Sequence, residues 1–183
     1  MKAMPTAIAD VLLLEPKVFN DERGYFLESY NARAFEESTG LAPQFVQDNH
    51  SRSSRGVLRG LHYQLAPHAQ GKLVRVTHGA VFDVAVDLRR SSPTLGRWVG
   101  AELSADNFRQ MWIPPGFAHG FVVLSDSADF LYKATELWVP ACDRALRWDD
   151  PQLAIAWPLP VSELTVSAKD RAAPALRDAA LFD

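Results

Sequence analysis

Four short stretches place groups able to move protons, or to steady negative charge, on the faces of predicted strands. Arg59-Gly60-Leu61-His62-Tyr63-Gln64 carries an imidazole, which titrates near neutrality and so serves as an acid or a base at physiological pH. His62 shares its predicted strand face with Leu58 and Gly60 and is expected to point inward. Lys72 lies on the face of Val74 and Val76, and lysines are rarely buried unless paired. Ile113-Pro114-Pro115-Gly116-Phe117-Ala118-His119-Gly120 reads as a rigid turn that delivers His119 to the start of an apolar strand. In Phe130-Leu131-Tyr132-Lys133, Tyr132 falls on the face of Phe130 and Ala134, and a neutral phenol is a proton donor at neutral pH. Inward polar groups are the informative ones, because burial is costly unless they are hydrogen-bonded or used. Each also has a plainer reading. A single histidine on an apolar strand is more often a hydrogen-bonded core residue, Tyr132 serves equally as core filler, and Lys72 at a strand end can reach solvent. Pattern alone leaves both readings open.

Other chemistries find less support. Small β-barrels that hold a catalytic metal often do so with His-x-His, a carboxylate and a later histidine. Here His50, His62, His68, His78 and His119 are scattered and the position two after His62 is Gln64, so no metal is expected. There is no Gly-x-Ser-x-Gly elbow for a serine nucleophile, and Cys142, beside Asp143, reads as an ordinary loop residue. No Gly-x-Gly-x-x-Gly turn offers a nicotinamide site.

The elements that must hold these groups are short strands. Lys72 to His78 alternates, His78-Gly79-Ala80 is a turn, and Val81 to Leu88 alternates again, which predicts a hairpin. Similar runs occur at Gly24 to Tyr30, Phe45 to Asn49, Gly56 to Gln64, Arg97 to Leu103, Ala118 to Leu124 and Asp129 to Trp138. Helical signals are few: Asn31 caps Ala32 to Thr39 with Gly40 as the stop, and Pro174 to Leu181 is expected to form a short C-terminal helix. Many short strands and few helices point to a sandwich or closed barrel. The 183 residues suit one domain, 1–183, with no repeat or linker. A net charge of −3 argues against a nucleic-acid partner, though a few arginines can still build a local site for one anionic small molecule. The apolar run Val11 to Leu14 is too short for a secretory segment, nothing approaches a membrane span, and one cysteine permits no internal disulfide. A cytoplasmic protein is the expectation.

Taken together, several runs resemble the dTDP-4-dehydrorhamnose 3,5-epimerase family. They are Asp21-Glu22-Arg23-Gly24-Tyr25-Phe26, Gln47-Asp48-Asn49-His50-Ser51, Val57 to Gln64, Gly71-Lys72-Leu73-Val74-Arg75 and Ile113 to Phe121. Tyr132-Lys133, Trp148-Asp149-Asp150-Pro151 and Leu164 to Arg171, with its Ser-x-Lys-Asp, complete the series in one collinear order. The resemblance implies an all-β, cupin-type jelly-roll barrel without metal or cofactor, a homodimer acting on a dTDP-linked 4-keto-6-deoxyhexose in L-rhamnose synthesis. By position it implies that His62 is the general base, Tyr132 the general acid, Asp170 the carboxylate paired with the base and Lys72 the group beside the keto oxygen. Arg23, Glu28, Gln47, Asn49, Arg59, His119 and Lys169 fall at substrate-binding positions, the arginines facing the diphosphate and the Gln47 segment the nucleotide. Trp138 falls where the family carries an aromatic near the thymine. Asp143 stands where a glutamate is expected, one methylene longer, and Leu137 and Val139 replace more polar or aromatic neighbours of Trp138. The same motifs leave open a single-carbon epimerase, a keto-isomerase on a related sugar and a non-catalytic sugar-binding cupin.

The residue types suit the implied reaction. Removing a proton next to a ketone leaves negative charge on the keto oxygen, and a preorganised cation there typically contributes about 10²–10³ in rate. A carboxylate behind an imidazole fixes its tautomer and stabilises the imidazolium. Inversion needs a second group on the opposite face of the ring, which a tyrosine on another strand supplies.

Overall fold

A computed structural model describes residues 1–183. Two antiparallel sheets pack face to face. One runs in the order β1 (Lys2–Pro5), β2 (Leu12–Glu15), β10 (Gln110–Ile113), β7 (Lys72–His78), β12 (Ser127–Ala134) and β5 (Gln47–Ser54). The other runs β13 (Asp143–Ala145), β6 (Val57–Gln64), β11 (Phe117–Val123), β8 (Ala80–Asp87) and β9 (Trp98–Ser104), with β14 (Thr165–Val166) parallel beside β6. β3 (Val18–Asp21) and β4 (Gly24–Leu27) pair only with each other and form a separate arm. This is the expected jelly roll. No helix is long and apolar enough to cross a membrane.

The inward faces of both sheets supply the main core, with Val74, Met111 and Phe130 from one meeting Ala85, Phe121 and Val123 from the other. The second sheet is covered on its outer face as well. Val84, Val86 and Ala118 pack there under Leu153 and Leu176 from the C-terminal segment, which is why all seven residues of β11 are buried. The first sheet's outer face takes Phe35 of helix α1 (Ala32–Thr39) against Leu14, Leu73 and Trp112. That helix forms where its caps predict. The Asn31 side chain accepts from the Ala34 N–H at 3.1 Å, and Gly40 closes the helix at φ 73°.

Several elements differ from the sequence pattern. β7 and β8 are consecutive strands but not a hairpin. β7 pairs with β10 and β12, whereas β8 pairs with β11 and β9. Gly79 is therefore the corner where the chain crosses between sheets. At φ +72°, a Cβ there would lie 2.0 Å from the Ser127 carbonyl oxygen, so only glycine fits. Period-2 alternation and a glycine identify two strands and a turn; they do not say which strand each one pairs with. The C-terminal helix is absent beyond one 3-10 turn, Leu176–Asp178, held where the Leu176 N–H donates to Asp150 at 2.7 Å. The strand expected to reach Trp138 ends at Ala134, and α2 (Ala168–Arg171), a single turn, forms where no helix was predicted.

Candidate active site

A cavity of about 330 Å³ opens between the sheets, and β6, β7, β11 and β12 line it with His62, Lys72, His119 and Tyr132. A depression of about 350 Å³ on the outer face of the first sheet touches Tyr132 but contains none of His62, Lys72 or Asp170. The chemistry lies in the inter-sheet cavity.

His62 reaches it by a route the alternation did not foresee. β6 pairs with β11 as His62 with His119, then as Arg59 with Phe121 and Leu58 with Val122. Gly60 and Leu61 thus face the single residue Gly120, a β-bulge that shifts the strand's phase by one. Leu58, expected on the face of His62, packs outward with Val122, Trp148 and Val166. Arg59 and His62, three apart, both face the cavity. Gly60 sits at φ +130°, and a Cβ there would lie 2.6 Å from the Gly120 Cα. The bulge therefore requires glycines on both strands.

Asp170 stands behind His62. α2 places it there, with the Ser167 hydroxyl oxygen accepting from the Asp170 N–H at 3.1 Å. The buried carboxylate lies 2.7 Å from His62 Nε2. Burial pushes this carboxyl up, but hydrogen bonds from His62 and the Gly60 N–H outweigh it and hold Asp170 below its ordinary range. An ionised Asp170 selects the tautomer in which Nε2–H donates, leaving Nδ1 with a free lone pair.

Lys72 is buried, with its Nζ 3.4 Å from the His62 carbonyl oxygen and 5.7 Å from the centre of the Tyr132 ring. Burial lowers its pKa to about 8, against the pull of Asp143 and Asp83, so it remains a cation at neutral pH. Tyr132 enters from β12, in the sheet opposite His62. Burial, with Asp143 nearby, pushes its hydroxyl above the usual phenol range despite Arg59, which keeps the proton on.

Asp83 was not singled out in the sequence, although a carboxylate inside the apolar run Val81 to Val86 is a recognisable signal. It is fully buried on β8, and His119 Nε2 lies 2.9 Å from its Oδ2. Burial pushes Asp83 up, opposed by His119 and Lys72, and pushes His119 down toward the neutral imidazole. Both inward histidines thus direct a ring nitrogen to an aspartate. No group of three or more His, Cys, Asp or Glu side chains converges as a cation cage.

The remaining predicted residues divide. Asn49, Arg59, Trp138, Asp143 and Lys169 line the cavity. Arg59 donates to the Ser53 hydroxyl at 2.9 Å, and Lys169 pairs with Asp143 at 2.7 Å across the mouth. Gln47 lies just behind, donating to Asn49 at 3.0 Å and accepting from the Trp138 N–H at 3.1 Å. Arg23 and Glu28 do not reach this cavity. Arg23 is 85% exposed at the tip of the arm, paired with Asp21, and Glu28 is exposed just beyond β4. The arm rests on the body through Tyr25, whose ring centre lies 4.8 Å from that of Phe108, and neither Arg23 nor Glu28 lines the cavity of its own chain.

Known proteins resemble this chain along almost its whole length. A family model described as dTDP-4-dehydrorhamnose 3,5-epimerase matches residues 5–178. The chain is 64% identical over 182 residues to the dTDP-4-dehydrorhamnose 3,5-epimerase of Pseudomonas aeruginosa, covering 100% of this chain and 99% of that one. It is 59% identical over 184 residues to that of Salmonella typhimurium, covering 100% of both. The crystal structure of dTDP-6-deoxy-D-glucose-3,5-epimerase from Legionella pneumophila, in complex with dTDP-4-keto-L-rhamnose, matches with a TM-score of 0.93. The two are 53% identical, covering 97% of this chain and 93% of that chain.

Proposed function

The chain belongs to the dTDP-4-dehydrorhamnose 3,5-epimerase family, and from that premise we propose how its cavity inverts C3 and C5 of dTDP-4-dehydro-6-deoxy-D-glucose. The product is dTDP-4-dehydro-L-rhamnose. The observation that carries the reading is the His62–Asp170 pair on one sheet facing Tyr132 on the other, with the Lys72 ammonium at the same cavity. His62 Nδ1 takes the proton from the carbon beside the ketone, and the C–H electron pair moves through the new C=C bond onto the C4 oxygen. Lys72 stabilises that oxyanion, which forms only as the bond breaks. Tyr132 then protonates the opposite face, and the enolate electrons return to carbon. His62 releases its proton to water and Tyr132 regains one before the second carbon is inverted. The ketone is the electron sink, so the chemistry needs no cofactor.

Arg59 and Lys169 supply cations for the diphosphate, Gln47 and Asn49 lie toward the nucleotide, and Trp138, 57% exposed at the mouth, offers a ring face to the base. Asp143 is drawn toward Lys169 and orients it. His119 lines the sugar end. The match over residues 5–178 supports one catalytic domain, and the lone Cys142 supports a reducing, cytoplasmic compartment. A homodimer is supported by the arm, where Phe19, Tyr25 and Phe26 are 52%, 59% and 70% exposed. In it, Arg23 and Glu28 serve a second copy's cavity; a monomer by light scattering at micromolar concentration would contradict this. Incubating the enzyme with dTDP-4-dehydro-6-deoxy-D-glucose in heavy water, read by proton NMR, tests the activity. Deuterium at C3 and C5 with the L-rhamno configuration is expected; a shifted keto group, or no exchange, would overturn it.

A further inference from the structure

Gln64 is buried at 3% exposure at the end of β6, two residues beyond His62, and its side chain bonds only to main chain. Its Oε1 accepts from the Val139 N–H at 2.6 Å, while Nε2 donates to the Leu137 carbonyl at 3.0 Å and the His68 carbonyl at 2.8 Å. Between the first two contacts stands Trp138, whose own N–H is accepted by Gln47 at 3.1 Å. The loop's other bonds are local: the Val139 carbonyl accepts from the Cys142 and Asp143 N–H groups at 2.9 and 3.1 Å, and the Leu137 N–H donates to Glu136 at 2.8 Å. Leu137 and Trp138 are 55% and 57% exposed, and neither joins any apolar cluster of the core. Three successive residues are therefore tied to the two sheets by amide side chains, while Leu137 and Trp138 stand outside the apolar core.

We propose that Gln64 is a positioning residue for nucleotide recognition, holding the Trp138 loop so that the indole stands ready for the base. The proposal rests on the reading of Trp138 as the base contact. One planar group here must accept once and donate twice, which only an amide does. A methionine would fill the volume without any bond, and a glutamate would keep the acceptor but set an anion against two carbonyls. Without the amide, the Val139 N–H and two carbonyls lose their partners, and the loop moves toward water to recover them. His62, Lys72 and Tyr132 sit on other strand positions and remain in place.

Losing these bonds corresponds to about a tenfold to hundredfold weaker affinity for dTDP. The experiment compares Gln64→Met, Trp138→Ala and the double variant, titrated by calorimetry with dTDP and with inorganic pyrophosphate, which carries no base. Each single variant should weaken dTDP binding, and the double should be no weaker than Trp138→Ala alone. For Gln64→Met, pyrophosphate affinity and proton exchange at saturating substrate should stay within about threefold of wild type. A full additional loss in the Trp138→Ala background, or loss of exchange at saturation, overturns the proposal. If Trp138→Ala leaves dTDP binding intact, the reading of Trp138 itself fails and takes the proposal with it. Should Gln64→Met not fold, Gln64→Glu carries the same cycle, since it retains the Val139 bond.

Discussion

The first group in the cavity whose loss of charge should be visible above neutrality is Lys72. Burial holds its pKa at about 8, with Asp143 and Asp83 partly opposing the fall. The depressed value means the ammonium is lost as pH rises through that value: about nine-tenths charged at pH 7, half at pH 8 and about one-tenth at pH 9. A missing cation at a developing oxyanion costs about 10²–10³ in rate, so enzyme with neutral lysine contributes almost nothing. Because kcat/KM reports ionisations of the free enzyme, it should fall about tenfold per pH unit above pH 8. Tyr132 does not confuse the result, since burial pushes its hydroxyl above the ordinary phenol range. The assay is the initial rate of epimerisation by NMR at sub-saturating substrate, from pH 6.5 to 9.5 at constant ionic strength. Asp83→Asn removes one anion that favours the ammonium and should move the limb to lower pH. Lys72→Met should lower the rate by about 10²–10³ and abolish the limb. A wild-type profile flat to pH 9.5, or a limb that persists in Lys72→Met, would refute the assignment.

Tyr132→Phe should still exchange deuterium into substrate but invert it about 10²–10⁴ more slowly; equal losses in both measurements would count against a role confined to reprotonation. Gly60→Ala forces a Cβ to 2.6 Å from the Gly120 Cα at φ +130°. It should cost about 2 kcal/mol or more and lower Tm by roughly 4–8 °C, and an unchanged melting curve would contradict the account of the bulge. Asn31→Ala removes a helix N-cap far from the cavity and should cost about 1 kcal/mol in chemical denaturation while leaving kcat/KM unchanged.

Much of this was legible because local rules suffice locally. The Asn31 cap, the Gly40 stop and the alternation of Lys72 to His78 describe elements whose form depends on neighbouring residues. Pairing partners do not, which is why β7 and β8 read as a hairpin yet lie in opposite sheets. The face of His62 was anticipated for a reason that fails in three dimensions. Strict alternation put it with Leu58, whereas a bulge that needs Gly120, sixty residues away in the chain, puts it with Arg59. The dyad is legible only through the family motif, because α2 brings Asp170 to His62 across more than a hundred residues. Asp83 and Gln64 were visible as polar residues in buried strands. What they bond to, His119 and the main chain around Trp138, is set by long-range packing. Arg23 and Glu28 were read as site residues, and neither lines the cavity of its own chain.

The most direct test is proton exchange in His62→Ala, which keeps Asp170, Lys72 and Tyr132 in place. With dTDP binding verified by calorimetry, substrate in heavy water should take up no deuterium at C3 or C5 beyond the uncatalysed rate. Uptake at the wild-type rate at either carbon would mean that another group is the base.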